Sequence, residues 1–128
     1  MAAAFQTNSA IMKNLKIILP ALLLAFLATA AQAQKATVTE TFKVLGNCGM
    51  CQKTIQNAAL DAGAKSAVWD VDAHTLTVTF KEKKTSVDAI QKAIAAKGYD
   101  TPLHKSDDAV YSNLHGCCQY DRSESLVQ

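Results

Sequence analysis

Thr37-Val-Thr-Glu-Thr-Phe-Lys-Val-Leu-Gly-Asn-Cys-Gly-Met-Cys51 decides the reading of the fold. Its first half alternates, placing Val38, Phe42 and Val44 on one face with Glu40 as the misfit. Thr and Val favour a strand there. Gly46 to Met50 breaks that period. From Cys51 to Ala62 the period becomes helical, with Ile55, Ala58, Ala59 and Ala62 on one stripe and Gly63 as a C-terminal stop. A strand hands over to a helix across a loop containing Cys-x-x-Cys.

Working outward, Ala67, Trp69 and Val71 alternate on a second strand. Asp72-Ala73-His74 makes a turn, and Leu76, Val78 and Phe80 alternate on a third strand whose other face is threonine. After the charge run Lys81 to Lys84, Thr85 or Ser86 caps a second helix. Val87, Ile90, Ala93 and Ile94 form its apolar stripe, and Gly98 ends it. Tyr99 to Leu103 reads as a short fourth strand, with Pro102 confined to an edge or strand end. The order is β-α-β-β-α-β, an α+β ferredoxin-like sandwich: a four-stranded antiparallel sheet with two helices on one face. Phe42, Trp69, Phe80, Ile55, Ile90 and Ile94 are the expected core.

Upstream of this domain the sequence reads as an export signal at residues 1–33. Lys13 and Lys16 precede an apolar run from Ile17, and Ala31-Gln32-Ala33 has the small-x-small pattern of a cleavage site. Met12-Lys-Asn-Leu-Lys offers an alternative start. The apolar stretch, interrupted by Pro20, is shorter than the ~18–20 residues of a membrane span. The expected destination is the periplasm or the exterior, where thiols tend toward oxidation unless a metal or partner holds them. The chain of 128 residues has a net charge of +2, which the two signal lysines account for. Neither a basic stripe nor a like-charge block points to nucleic acid. The expected organisation is a signal at 1–33, a domain at 34–103 and a tail at 104–128.

The four cysteines carry the chemistry. Two intervening residues let Cys48 and Cys51 converge on one ion, and Cys51 lies near a helix N-terminus, which favours a thiolate. Thiolates select soft or borderline ions such as Cu(I), Zn, Cd or Hg over Mg or Ca. Cys117-Cys118 forms a second pair. Adjacent cysteines rarely make a strain-free disulfide with each other. They are expected to reach Cys48 and Cys51, meet another chain or add metal ligands. A helix between Asp107 and Leu114, within a return segment of residues 104–116, gives the tail enough chain to fold back over the loop. His115 and Met50 are accessory donor candidates, with an exposed loop position as the alternative for each. His74 and His104 are expected to be solvated.

Gly46-Asn-Cys-Gly-Met-Cys51, Gly63-Ala-Lys-Ser-Ala-Val-Trp-Asp70 and Ala96-Lys-Gly-Tyr-Asp100 together resemble the heavy-metal-associated domain family of small metallochaperones and metal-ATPase modules. The resemblance covers Thr37 to Leu103. It implies Cys48 and Cys51 as ligands of Cu(I) or another soft ion, with Tyr99 beside the metal loop. It also implies exchange with a metal-transport ATPase or other metal-handling protein, by a monomer or a metal-bridged dimer. The family usually has an inward-packed methionine two residues before the first cysteine; this chain has Gly46, and a more mobile loop is expected. The function expected is non-enzymatic sequestration or relay of a soft ion. A thiol–disulfide redox protein and a disulfide-stapled interaction module are the alternatives. Against the redox reading, no Trp precedes Cys48 and no further strand and helix follow to complete a thioredoxin-like sheet.

Overall fold

Alternation of apolar and threonine residues in the first and third strands places them side by side, with the third strand at the centre of the sheet. The computed structural model describes residues 36–123 and 126; the expected signal at 1–33 lies outside the described residues. The elements are β1 (Thr37–Lys43), α1 (Gly49–Asp61), β2 (Ser66–Asp70), β3 (Thr75–Lys81), α2 (Val87–Ala95), α3 (Asp108–Ser112) and a 3-10 turn (Gly116–Cys118). The sheet runs β1-β3-β2, and both pairings are antiparallel.

Register follows from the side-chain pattern. Val38 faces Phe80, Glu40 faces Val78 and Phe42 faces Leu76, putting the apolar set on one side. On the other side the Thr39 and Thr79 hydroxyls hydrogen-bond across the strands, as do those of Thr41 and Thr77. A one-residue slip would exchange the two faces, so burial fixes the register. Ile55, Trp69, Leu76, Val78, Ile90 and Ile94 form the buried centre, with Phe80 beside them. Phe42, expected in that core, is half-buried at its margin.

Helix boundaries follow local chemistry. The Ser86 side chain caps α2 by accepting from the Ala89 N–H at 3.1 Å, an interaction worth about 1 kcal/mol. Gly98 follows α2 at φ +108, and a Cβ there would lie 2.9 Å from the Leu114 side chain. Glycine is therefore required both by the backbone and by the tail packed against it.

The fourth strand expected from Tyr99 to Leu103 is not formed among the described residues, where the sheet has three strands. A single backbone contact remains, from Leu45 N–H to the Asp100 carbonyl at 3.2 Å. The cause is competition for backbone groups. The Tyr120 hydroxyl accepts the Asp100 N–H at 2.8 Å, and Gln91 Oε1 accepts the Leu103 N–H at 3.0 Å. Pro102 has no N–H to offer, and Thr101 N–H turns back to the His104 carbonyl at 2.9 Å. The segment thus becomes a turn that delivers the chain to α3.

Candidate metal centre

The loop between β1 and α1 is positioned from below by Trp69. Its indole N–H donates to the Val44 carbonyl at 3.0 Å, and the indole is almost fully buried. A Cβ at Gly46 would lie 3.1 Å from two atoms of that ring and 3.3 Å from Cys51 Cβ. Tryptophan fills the space beneath the loop, so the absence of a methionine at position 46 leaves no void there. His74, with φ 53, stacks on Trp69 at 6.1 Å and 8°, in place of the solvated position expected.

Helix α1 begins at Gly49, earlier than the period from Cys51 implies, and this makes Cys48 its N-cap residue. The Cys48 sulfur therefore faces the free N–H groups of the first turn. The Cys51 N–H, then the Cys51 thiol, stabilise the thiolate most, and together with Met50 N–H and Cys118 they lower Cys48 to about 7. Cys48 makes no closed side-chain cap hydrogen bond, so the pull comes from N–H and S–H groups near its sulfur. Cys48 is partly exposed and Cys51 is buried.

The tail brings the second pair to the same place. Cys48 Sγ lies 3.6 Å from Cys51 Sγ and 4.0 Å from Cys118 Sγ, and Cys117 Sγ lies 3.9 Å from Cys118 Sγ. The sulfurs of Cys48, Cys117 and Cys118 all fall within 4.8 Å of one another. All four cysteines are free thiols. Cys118 is buried, and burial foremost pushes its thiol up to about 12, so an isolated negative charge is disfavoured there. Cys117 is exposed.

Several residues hold the tail over the loop. Asn47 Nδ2 donates to the Cys117 carbonyl at 3.4 Å. Tyr120 is buried; its hydroxyl donates to the Gly98 carbonyl at 2.9 Å, and its ring stacks on Tyr99 at 6.1 Å. Tyr111 packs edge-on against Tyr120 and donates its hydroxyl to the Tyr120 carbonyl. Arg122 Nε and Nη2 grip the two oxygens of Asp100, each at 2.8 Å. The same guanidinium reaches Asp108 at 2.7 Å and the Ser106 carbonyl at 2.8 Å, and lies 4.6 Å over the Tyr111 ring.

Of the residues singled out from the sequence, Cys48, Cys51, Cys117 and Cys118 are brought together. Tyr99 is buried next to them; burial first, then the Cys51 and Cys118 thiols, keep its hydroxyl protonated. Met50 is 51% exposed at the start of α1. His115 is exposed and not in the thiol cluster; its carbonyl accepts the Cys118 N–H at 2.7 Å. His104 bonds Asp88 at 2.8 Å in a solvent-exposed pair. Tyr111 and Tyr120 pack the tail, as their apolar rings in that segment lead one to expect; Asn47 and Arg122 were missed as tail anchors. A Tyr-x-Arg just beyond the cysteine pair was the only available signal, and nothing local marks its partner Asp100.

Chemically, the arrangement suits a soft cation. For metal–sulfur bonds of about 2.3 Å, sulfurs lie about 3.8 Å apart around a tetrahedral ion, about 4.0 Å around a trigonal one and about 4.6 Å around a linear one. The spacings of 3.6, 3.9 and 4.0 Å match three or four sulfurs better than two in line.

Solved structures of similar fold include oxidized MerP from Ralstonia metallidurans, 34% identical, covering 52% of this chain and 94% of that one at a TM-score of 0.49. A protein from Bacillus anthracis described as copper-ion-binding is 24% identical, covering 53% and 99% at a TM-score of 0.50. The N-terminal domain of a P-type ATPase from Bacillus subtilis, described as copper-translocating and Cu(I)-loaded, is 25% identical, covering 58% and 95% at 0.49. No curated protein sequence matches significantly. Residues 41–100 match the model of the heavy-metal-associated domain, and the chain belongs to that family.

Proposed function

We propose that the protein is an exported, non-enzymatic carrier of a soft metal ion, with Cu(I) the favoured cargo and Hg, Zn or Cd the alternatives. Family membership supports metal binding. The observation that carries the closer reading is the presence of Cys117 and Cys118 sulfurs within 4.8 Å of Cys48 and of one another. Thiolates prefer Cu(I) among ions that accept two or three donors; a four-thiolate set would favour zinc. Because the tail is already anchored, the cost of ordering two extra ligands is met largely by folding and not by the ion.

Transfer proceeds by ligand exchange. An incoming thiolate from a metal-transport ATPase or other metal-handling protein joins the ion before one of this chain's sulfurs leaves. The exposed Cys117 and half-exposed Cys48 meet the partner, while the buried Cys118 retains the ion. Transfer to a partner needs at least one accessible ligand, and the site keeps two.

A Cu(I) competition titration of reduced protein against a chromophoric chelator tests this. Replacing Cys117 and Cys118 together by Ser should weaken retention at least ~10-fold, about 1.4 kcal/mol. Unchanged affinity would remove the tail from the site, and failure of the unaltered protein to retain copper would refute the carrier. A second reading, thiol–disulfide exchange, is favoured by one observation: a Cys48 thiol lowered to about 7 with two other sulfurs within 4.0 Å. Insulin reduction separates it, since a carrier catalyses none.

A further inference from the structure

The four sulfurs form two overlapping triads and not a tetrad, because the Cys51 thiol interacts with Cys118 as well as with Cys48. Cys48 lies 3.6 Å from Cys51 and 4.0 Å from Cys118, and Cys118 lies 3.9 Å from Cys117. An ion bound at about 2.3 Å from each donor spans at most about 4.6 Å between any two of them. Cys48, Cys117 and Cys118 lie within 4.8 Å of one another, close to that limit, and Cys51 is outside this mutual group among the described residues. One ion seated in the trio leaves Cys51 unused, although Cys51 stands 3.6 Å from Cys48. Exposure differs among the four: Cys51 and Cys118 are buried, Cys48 is intermediate and Cys117 is exposed.

The geometry points to two overlapping three-sulfur sites for two Cu(I) ions, an inner one at Cys51, Cys48 and Cys118 and an outer one at Cys48, Cys118 and Cys117, with the Cys48 and Cys118 sulfurs bridging. This rests on the soft-metal reading above and extends it from one ion to two. A thiolate sulfur has lone pairs enough to bind two ions, and Cu(I) is satisfied by two or three sulfurs. Charge does not oppose the second ion. One Cu(I) on three thiolates, with Cys51 still a thiol, leaves the same net charge as two Cu(I) on four thiolates, so the second ion adds no uncompensated buried charge. The exchange is balanced in protons alone: four thiols lose four protons as two Cu(I) bind, and no electron moves.

The two ions differ in access. The outer ion has the exposed Cys117 as a ligand and exchanges first; the inner ion has Cys51, which no solvent reaches. The expected behaviour is one readily transferred ion and one slowly released.

The test is native mass spectrometry of the reduced protein titrated anaerobically with Cu(I) against a weak thiol buffer. The expected result is a one-copper chain at low copper and a two-copper chain at excess, both monomeric in protein. Cys117→Ser, at an exposed position, should stop at one copper while keeping the native circular dichroism. Saturation of the unaltered protein at one copper would overturn the second site and leave the carrier reading intact. Two coppers retained by Cys117→Ser would also overturn it, because the outer ion would not need Cys117. No retained copper at all would defeat both readings.

Discussion

Replacing Arg122 by Met should detach the tail from the domain. Arg122 donates two 2.8 Å bonds to the carboxylate of Asp100, whose side chain is 8% exposed, while Arg122 itself is 15% exposed. Without the guanidinium, the Asp100 carboxylate keeps the Ser106 N–H at 2.8 Å but no countercharge. Breaking a buried pair by removing one partner costs about 3–5 kcal/mol. The low end applies here, about 3 kcal/mol, because the opened tail admits water to Asp100. The third contact, to Asp108, adds little: that side chain is 88% exposed, and exposed pairs contribute about 0–1 kcal/mol. At about 4–8 °C per kcal/mol for a domain of this size, the melting temperature of the reduced apo protein should fall by about 12 °C or more. Asp108→Ala should lose less than about 1 kcal/mol. Adding Asp100→Asn to Arg122→Met should recover part of the loss by removing the stranded charge. Thermal unfolding followed by circular dichroism reads all four proteins. A loss below about 1 kcal/mol for Arg122→Met, or an equal loss for Asp108→Ala, would refute the clasp.

Three further outcomes follow from the same contacts. Gly98→Ala should destabilise by about 1–2 kcal/mol, since it combines φ +108 with a Cβ 2.9 Å from Leu114; Leu114→Ala in the same chain should relieve the steric part, and urea melts that show no relief would contradict the packing. Gly46→Met, which restores the family's usual residue, should be destabilising because Trp69 occupies the space, with 3.1 Å from ring to Cβ; a neutral or stabilising result in thermal melts would contradict it. Lowering of the Cys48 thiol means its thiolate is present at lower pH, so alkylation of Cys48 in the apo protein should rise through about pH 7. Cys118, raised to about 12, should stay unreactive across pH 6–9, as peptide mapping after iodoacetamide would show; comparable rates at the two cysteines near pH 7 would be inconsistent with the site's electrostatics.

The legible parts of the fold were those with a local period. Alternation over Val38, Phe42, Leu76, Val78 and Phe80 predicted two strands that pair in the register observed. Gly63 and Gly98 marked two helix ends at positive φ. The Cys-x-x-Cys at a strand-to-helix junction located the loop, and the length of the 104–116 segment allowed the tail to return. What was not legible depends on contacts distant in sequence. The Tyr120 hydroxyl takes the Asp100 N–H that a fourth strand would use, and no pattern within Tyr99 to Leu103 reveals that competitor. Likewise, Gly46 looked like a missing side chain because the residue that fills its space, Trp69, comes 23 positions later. Arg122 and Asp100 are 22 residues apart, and isolated opposite charges do not announce a bidentate pair. The start of α1 at Gly49, two residues before Cys51, moved the N-cap to Cys48 and with it the lowered thiol.

The central claim is that the tail supplies sulfur to the same ion as the Cys-x-x-Cys loop. X-ray absorption at the copper edge, with less than one Cu(I) per reduced chain, tests it most directly by counting sulfurs around the ion. The account predicts three sulfurs at about 2.3 Å in the unaltered protein and two when Cys117 and Cys118 are both replaced by Ser. Two sulfurs in both proteins would contradict it.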